Sequence, residues 1–164
     1  MEPAKNKHAE FVGVKALKEK QASQLALFET WAQDHEWQQF HASHYDWWMF
    51  PFSKPSQFGF AYVVYESEIL TLKQDSTFTT NYLRGVELLL LAWGWDLKQV
   101  APIPQPDRSQ TWQNWPIRLY KCALSLQEFG YMTEFHSVRT YARRLIQQGI
   151  SFEYNGRDLS TLFR

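Results

Sequence analysis

The stretch from Ser76 to Trp93 limits the fold more than any other part of the chain. Phe78, Tyr82, Val86, Leu89 and Trp93 recur at three- and four-residue steps, and Leu83, Leu88, Leu90 and Leu91 make its second half apolar on nearly every side. A helix of this kind must be surrounded, because a helix at a protein surface keeps one polar face for water. Gly94 follows as a natural stop, since glycine readily takes the left-handed conformation that ends helices. A membrane offers another hiding place, but the apolar run Leu88 to Trp93 is far below the roughly 18 residues a span requires. The chain must therefore provide its own surrounding helices.

The periodicity places them. Ser23 is a candidate N-cap for a first helix carrying Leu25, Phe28, Trp31 and Ala32 on one face. A second helix is expected from about Asp34 to Trp48, with Trp37, Phe40, His41, His44 and Trp48 at helical steps, and Phe50-Pro51-Phe52 ends it. Residues 53–65 read as an extended, partly buried connection; Phe58 to Tyr65 has strand-like composition but no partner strand nearby. Glu66 to Gln74 predicts a short helix. Asp96 to Thr111, with Pro102, Pro104 and Pro106, is a loop. Pro116 suits a first helical turn, and Leu119, Cys122, Leu126 and Phe129 continue it to Gly130. A last long helix runs from Thr133 as N-cap to Gln148, with Phe135, Val138, Ala142, Leu145 and Ile146 inward and His136, Arg139 and Arg143 outward. Asn155-Gly156 makes a turn before a final helical turn over 158–163. The expectation is an all-α, compact bundle of about six helices around an aromatic-rich core, without paired strands. Residues 1–18 are expected as a flexible, solvated tail and 19–164 as a single helical domain.

Composition supplies the core material and removes several function classes. Aromatic residues are 17% of the 164 positions, and each ring buries about 150–250 Å². Lys plus Arg equal Asp plus Glu at 17 each, so no surplus of positive charge points to a nucleic-acid partner. Cys122 stands alone, which suits a reducing compartment and a packing role. The N-terminal segment lacks the apolar run of a secretory signal. A soluble, cytoplasmic protein without a membrane span is expected.

Four groups are candidates for function. His41 and His44, three apart, share a helical face and with Asp46 suggest a metal or catalytic cluster, although no further ligand motif completes it. The crowded rings of Tyr45, Trp47, Trp48, Met49, Phe50 and Phe52 cannot all face one core, because neighbouring helical side chains diverge by about 100°. Tyr45, Trp47 and Phe52 are thus candidates for a rim that anchors a partner. Pro102-Ile103-Pro104-Gln105-Pro106 reads as a stiff connector. Arg139, Arg143, Arg144, Arg157 and Arg164 form an arginine-rich side that reads as a solvated face.

Some of these residues also carry a resemblance. His44-Tyr45-Asp46-Trp47-Trp48-Met49-Phe50-Pro51 resembles the HxYIQWLFP signature of the opioid growth factor receptor conserved domain family. Tyr45, Trp48, Phe50 and Pro51 are the matching positions. Leu83 to Leu97 is similar to the family's amphipathic helix and its glycine turn. Ile117-Arg118-Leu119-Tyr120-Lys121 is similar to its LRITR core, and Leu124 to Tyr131 to its SLxxLGL segment. The likeness is that of a distant relative over residues 28–148. Ser43 stands at the family's histidine, Trp47 at its glutamine, and Trp115-Pro116 at its His-Asn pair. The resemblance implies a compact all-α domain, with Trp48 and Phe50 packed under the Arg118 helix and no established enzymatic activity. The family's peptide-hormone binding does not carry over, because the polar signature differs.

The function expected is a non-enzymatic helical interaction module for a protein or peptide partner, using Tyr45, Trp47 and Phe52 with Arg118 or Lys121 nearby, and no cofactor. The alternative is a small-ligand or metal-binding protein or enzyme using His41, His44 and Asp46 in an aromatic pocket. A homodimer is a further possibility.

Overall fold

The structure is a computed structural model that describes residues 4–164. In chain order its elements are α1 (Val14–Gln33), α2 (Trp37–Ala42), α3 (Asp46–Met49), α4 (Glu66–Lys73), α5 (Ser76–Ala92), β1 (Trp95–Asp96), β2 (Ala101–Pro102), α6 (Pro116–Phe129), α7 (Met132–Gln147), β3 (Glu153–Tyr154), β4 (Arg157–Asp158) and a closing 3-10 helix, Leu159–Phe163. The fold is mostly helical, with an aromatic-rich core. No helix among the described residues is long and apolar enough to cross a membrane.

The central position goes to α5, as its sequence demands. Its Phe78, Tyr82, Val86, Leu88, Leu89, Leu90 and Ala92 are all buried. Asp75 caps its start, accepting from the backbone N–H groups of Thr77 at 2.9 Å and Phe78 at 3.1 Å. Gly85 lets the α3 segment come close: a Cβ there would stand 2.6 Å from Cε of Met49. Gly94, at φ +81°, turns the chain out of the helix, and a Cβ there would meet the Gln110 carbonyl oxygen at 2.8 Å.

Rings join the helices in three clusters. Phe28, Phe40 and Tyr45 tie α1 to the α2–α3 region, with centroids 4.6–4.7 Å apart. Tyr82 stacks on Phe129 at 4.9 Å and links α5 to α6. Trp93, Trp95 and Trp112 gather about Tyr141 of α7, and Trp112 stacks on Phe152 with an interplanar angle of 4°. Edge-to-face and offset pairs of this kind each contribute about 0.5–1.5 kcal/mol beyond the area they bury.

Several expectations are corrected. The stretch 1–18 is not a solvated tail over its described part; residues 1–3 lie outside the described residues. α1 begins at Val14 rather than near Ser23, because Leu17 and Gln21 continue the buried stripe of Leu25 and Phe28. Before it, Asn6 is buried and its Nδ2 donates to the carbonyls of Phe60 (3.1 Å) and Val63 (2.9 Å). Its N–H reaches Oε1 of Glu68 at 3.0 Å, and His8 stacks on Phe60 at 3.7 Å. The 53–65 connection, which has no partner strand to satisfy its backbone, thus takes some of its hydrogen bonds from the N-terminal segment.

The helix expected over 34–48 is two short helices, interrupted at Ser43–Tyr45. Two small antiparallel hairpins also exist: Trp95 pairs with Pro102 and Asp96 with Ala101, while Glu153 pairs with Asp158 and Tyr154 with Arg157. Each strand is two residues long, too short to alter the layer plan. Finally, α7 starts at Met132, so Thr133 lies inside the helix, and Ile146 is exposed rather than inward. Tyr141 takes the inward place instead.

Candidate functional site

The break between α2 and α3 is held open by one side chain from far along the chain. Arg118, in the first turn of α6, is 1% exposed. Its Nε donates to Oδ1 of Asp46 (2.8 Å), one terminal nitrogen to the Phe40 carbonyl (2.5 Å) and the other to the Ser43 carbonyl (2.6 Å). The guanidinium also lies over the Tyr45 ring, 4.4 Å from its centroid. It therefore satisfies carbonyls that the end of α2 leaves without helical partners and neutralises a buried carboxylate. Tyr45 completes the unit by donating its hydroxyl to the Phe40 carbonyl at 2.6 Å. Burial pushes the Tyr45 phenol well above its ordinary range.

This geometry corrects the rim expected at Tyr45, Phe52 and Arg118. All three are largely buried; Tyr45 and Arg118 are spent inside the protein, whereas Phe52 keeps an edge in the lining of the cavity beside Trp47. Phe50 is buried too, and Pro51 presents its carbonyl to the Ser125 hydroxyl at 2.7 Å. Trp48 does not pack under the Arg118 helix. It lies against α1, with Nε1 donating to Gln24 at 3.2 Å and the Lys20 ammonium 4.2 Å from its ring. Ile117 and Leu119 are core residues on either side of Arg118.

Trp47 and Lys121 have a different setting. Both are partly exposed, and the Lys121 ammonium sits 4.7 Å from the Trp47 ring centroid. The same ammonium is 3.9 Å from Oδ2 of Asp46. Burial lowers the Lys121 pKa and the Asp46 carboxylate partly offsets this. Phe58 meets Trp47 edge-on at 4.8 Å. Around this pair two cavities of about 360 Å³ each adjoin, sharing Trp47, Gln57, Ile117, Lys121 and Tyr154. One continues past Lys54 and Tyr120 to Arg157, and the other past Asp46 and His44 to Trp115. Together they form a groove between the 44–57 segment, the start of α6 and the β3–β4 hairpin. Sequence reasoning missed Tyr120, Tyr154 and Trp115 as groove residues. Two-residue strands leave no alternation to read, so nothing local announced that the hairpin would bring Tyr154 and Arg157 here.

The histidine cluster does not assemble. His41 turns to the proline-rich loop, where its Nε2 lies 3.0 Å from the Ser109 carbonyl, and burial lowers its pKa. His44 is exposed on the Trp47 side, while Asp46 is held by Arg118. The three side chains serve three different partners. Among the described residues no group of three or more His, Cys, Asp or Glu is placed to hold a metal ion. Cys122 is buried, and burial raises its thiol far above the reactive range.

The remaining candidates are structural. Pro102 sits in β2, and the loop after it is anchored by Asp107, whose carboxylate meets His35 at 2.6 Å and Trp37 Nε1 at 2.8 Å. Of the arginine-rich side, Arg143 donates to the Phe163 carbonyl at 2.6 Å, and Arg164 pairs with Asp158 at 3.6 Å. A further cavity of about 430 Å³ has Leu83, Leu97 and Val100 in its lining. At its edge Arg84 pairs with Glu29 and Glu87, and Lys98 with Glu87 at 3.2 Å. Compared with protein-family models, curated proteins and solved structures, the chain gives no significant match.

Proposed function

We propose that the chain is a non-enzymatic helical interaction module that binds a protein or peptide partner in the groove beside Trp47 and Lys121. The observation that supports this most is the groove's composition. It joins partly exposed rings to Arg157, and aromatic residues and arginine are the types enriched where proteins hold other proteins. Arg118, Asp46 and Tyr45 lie behind it and fix its wall, so the surface is formed before a partner arrives. A cytoplasmic location and a distant relationship to the opioid growth factor receptor domain belong to this reading. The relationship is supported by the order of the sequence segments and by the all-α fold it implies.

The test is affinity capture from a lysate with the wild-type chain and with Trp47→Ala, followed by identification of the proteins retained. A partner lost with Trp47→Ala, whose addition protects residues 44–57 and 117–121 from hydrogen exchange, supports the groove. Identical partner sets, from a variant with unchanged helical dichroism and melting temperature, rule this surface out.

A further inference from the structure

We infer that the cavity near Leu83 binds a small molecule that joins an apolar body to a cationic amine, with the ammonium on Glu134. This site is separate from the groove beside Trp47, and neither depends on the other.

Three elements build the cavity. Leu83, Arg84 and Glu87 come from one face of α5, Leu97 and Val100 from the turn between β1 and β2, and Glu134 from the first turn of α7. The leucines and the valine make the lining mainly apolar, and the volume is about 430 Å³. Small-molecule sites have this character: roughly 300–1,000 Å³, apolar walls and a few placed polar groups. A protein partner needs about 20–30 residues on each side of an interface, several times more than line this cavity.

The pairing of the rim charges selects a cation. Arg84 is 2.9 Å from Oε1 of Glu29 and also bonds Glu87, and Lys98 is 3.2 Å from Oε2 of Glu87. Both cations therefore face carboxylates of the same chain, and an anionic ligand would have to displace those contacts. Glu134 differs. It is half-buried at the cavity wall and has neither an ion pair nor a hydrogen bond among the described residues. A carboxylate in a first helical turn suits the positive end of the dipole, which accounts for its place on α7 but gives its oxygens no donor. An ammonium supplies one, and such charge-assisted bonds are the strong ones.

Val100 adds an independent observation. Its φ is +53°, in the left-handed region where a β-branched residue is a genuine outlier. Asp96 ties the turn, its Oδ1 accepting from the N–H groups of Lys98 at 3.0 Å and Gln99 at 2.9 Å. Glycine would take this backbone without strain. The valine instead gives the cavity an apolar wall, and backbone strain of this sort gathers at ligand sites.

The experiment titrates the full chain with phenylpropylamine, phenylpropanol and phenylpropanoate, three probes that share one apolar body. Affinities and amide chemical shifts are recorded by nuclear magnetic resonance. The amine is expected to bind best, with shifts centred on residues 83–87, 97–100 and 133–134. Glu134→Gln is expected to weaken the amine about tenfold or more and to leave the alcohol unchanged. Val100→Gly is expected to weaken amine and alcohol alike without lowering the melting temperature, because it removes the wall and relieves the turn. Equal affinity for the three probes, a preference for phenylpropanoate, or amine binding that ignores Glu134→Gln overturns the inference. So does the lack of shifts at the cavity with every probe. A short lysine-bearing peptide that binds there more tightly than the amine overturns it in favour of a protein ligand.

Discussion

Arg118 and Lys121 stand three residues apart on α6, yet the fold uses them in opposite ways. Arg118 is sealed inside, with all three guanidinium nitrogens bonded to α2–α3 groups. Lys121 stays at the edge, resting on Trp47 and only 3.9 Å from the same Asp46. The planar fork of arginine can satisfy a carboxylate and two carbonyls together, which a lysine ammonium on a flexible stem does less well. The difference teaches where this molecule keeps its stability and where it keeps surface for others. The buried cation builds the wall; the half-open one faces the groove.

Replacing Arg118 with Met should break this comparison most visibly. It leaves Asp46 buried without its main partner, the Ser43 carbonyl without its guanidinium donor and the Phe40 carbonyl with only the Tyr45 hydroxyl, so a loss of about 3–5 kcal/mol is expected in urea denaturation. The matching change Lys121→Met should cost clearly less, because its ammonium stands 3.9 Å from Asp46, at the limit of an ion pair, and Arg118 remains to neutralise that carboxylate. Equal losses at the two positions would erase the distinction. Adding Asp46→Asn to Arg118→Met should recover part of the loss, namely the share due to an unpaired buried charge.

A buried polar group without partners sharpens the same point from the other side. Gln21 of α1 is fully buried, and neither its Nε2 nor its Oε1 finds a hydrogen-bond partner among the described residues. Gln21→Leu is therefore expected to stabilise the protein by about 1–3 kcal/mol, read as a higher denaturation midpoint at unchanged slope. A destabilised variant would show that the amide does have a partner in solution.

The smallest effect concerns pH. His41 lies in the last turn of α2, at the end that Arg118 secures, and burial lowers its pKa from 6.5. The unfolded chain then binds the proton more readily than the folded one. Stability from this group is complete above about 6.5 and declines as the pH falls below that value. Thermal melts stepped down through this range should show a falling midpoint that His41→Asn makes shallower. An identical slope in both proteins would count against it.

Much of the frame was legible in the residues themselves. The apolar turns of α5, the proline at the start of α6 and Gly130 at φ +81° beyond its end act over one or two helical turns, so local spacing reveals them. The break at Ser43–Tyr45 was not legible. His41, His44 and Trp48 keep helical steps across it, and what pays for the interruption is a guanidinium more than 70 positions away. The candidate site was half visible for the same reason. The crowding of rings at 45–52 announced that some must leave the core, but not that Tyr45 would stay in while Trp47 and an edge of Phe52 reached the groove. Arg118 lay between Ile117 and Leu119, both buried. That placement inside a widened apolar stripe was the available hint that it would turn inward.

By itself, then, the amino-acid order determined that this protein is helical, that α5 lies at its centre and where most of its long helices stop. These follow from short-range periodicity, backbone preference and the cost of leaving apolar surface in water. Tertiary structure alone decided which aromatic residues are core and which are groove, how residues 4–13 dock, and that two cations of one helix part company. Each of those outcomes depends on partners distant in sequence, whose positions exist only once the helices have packed.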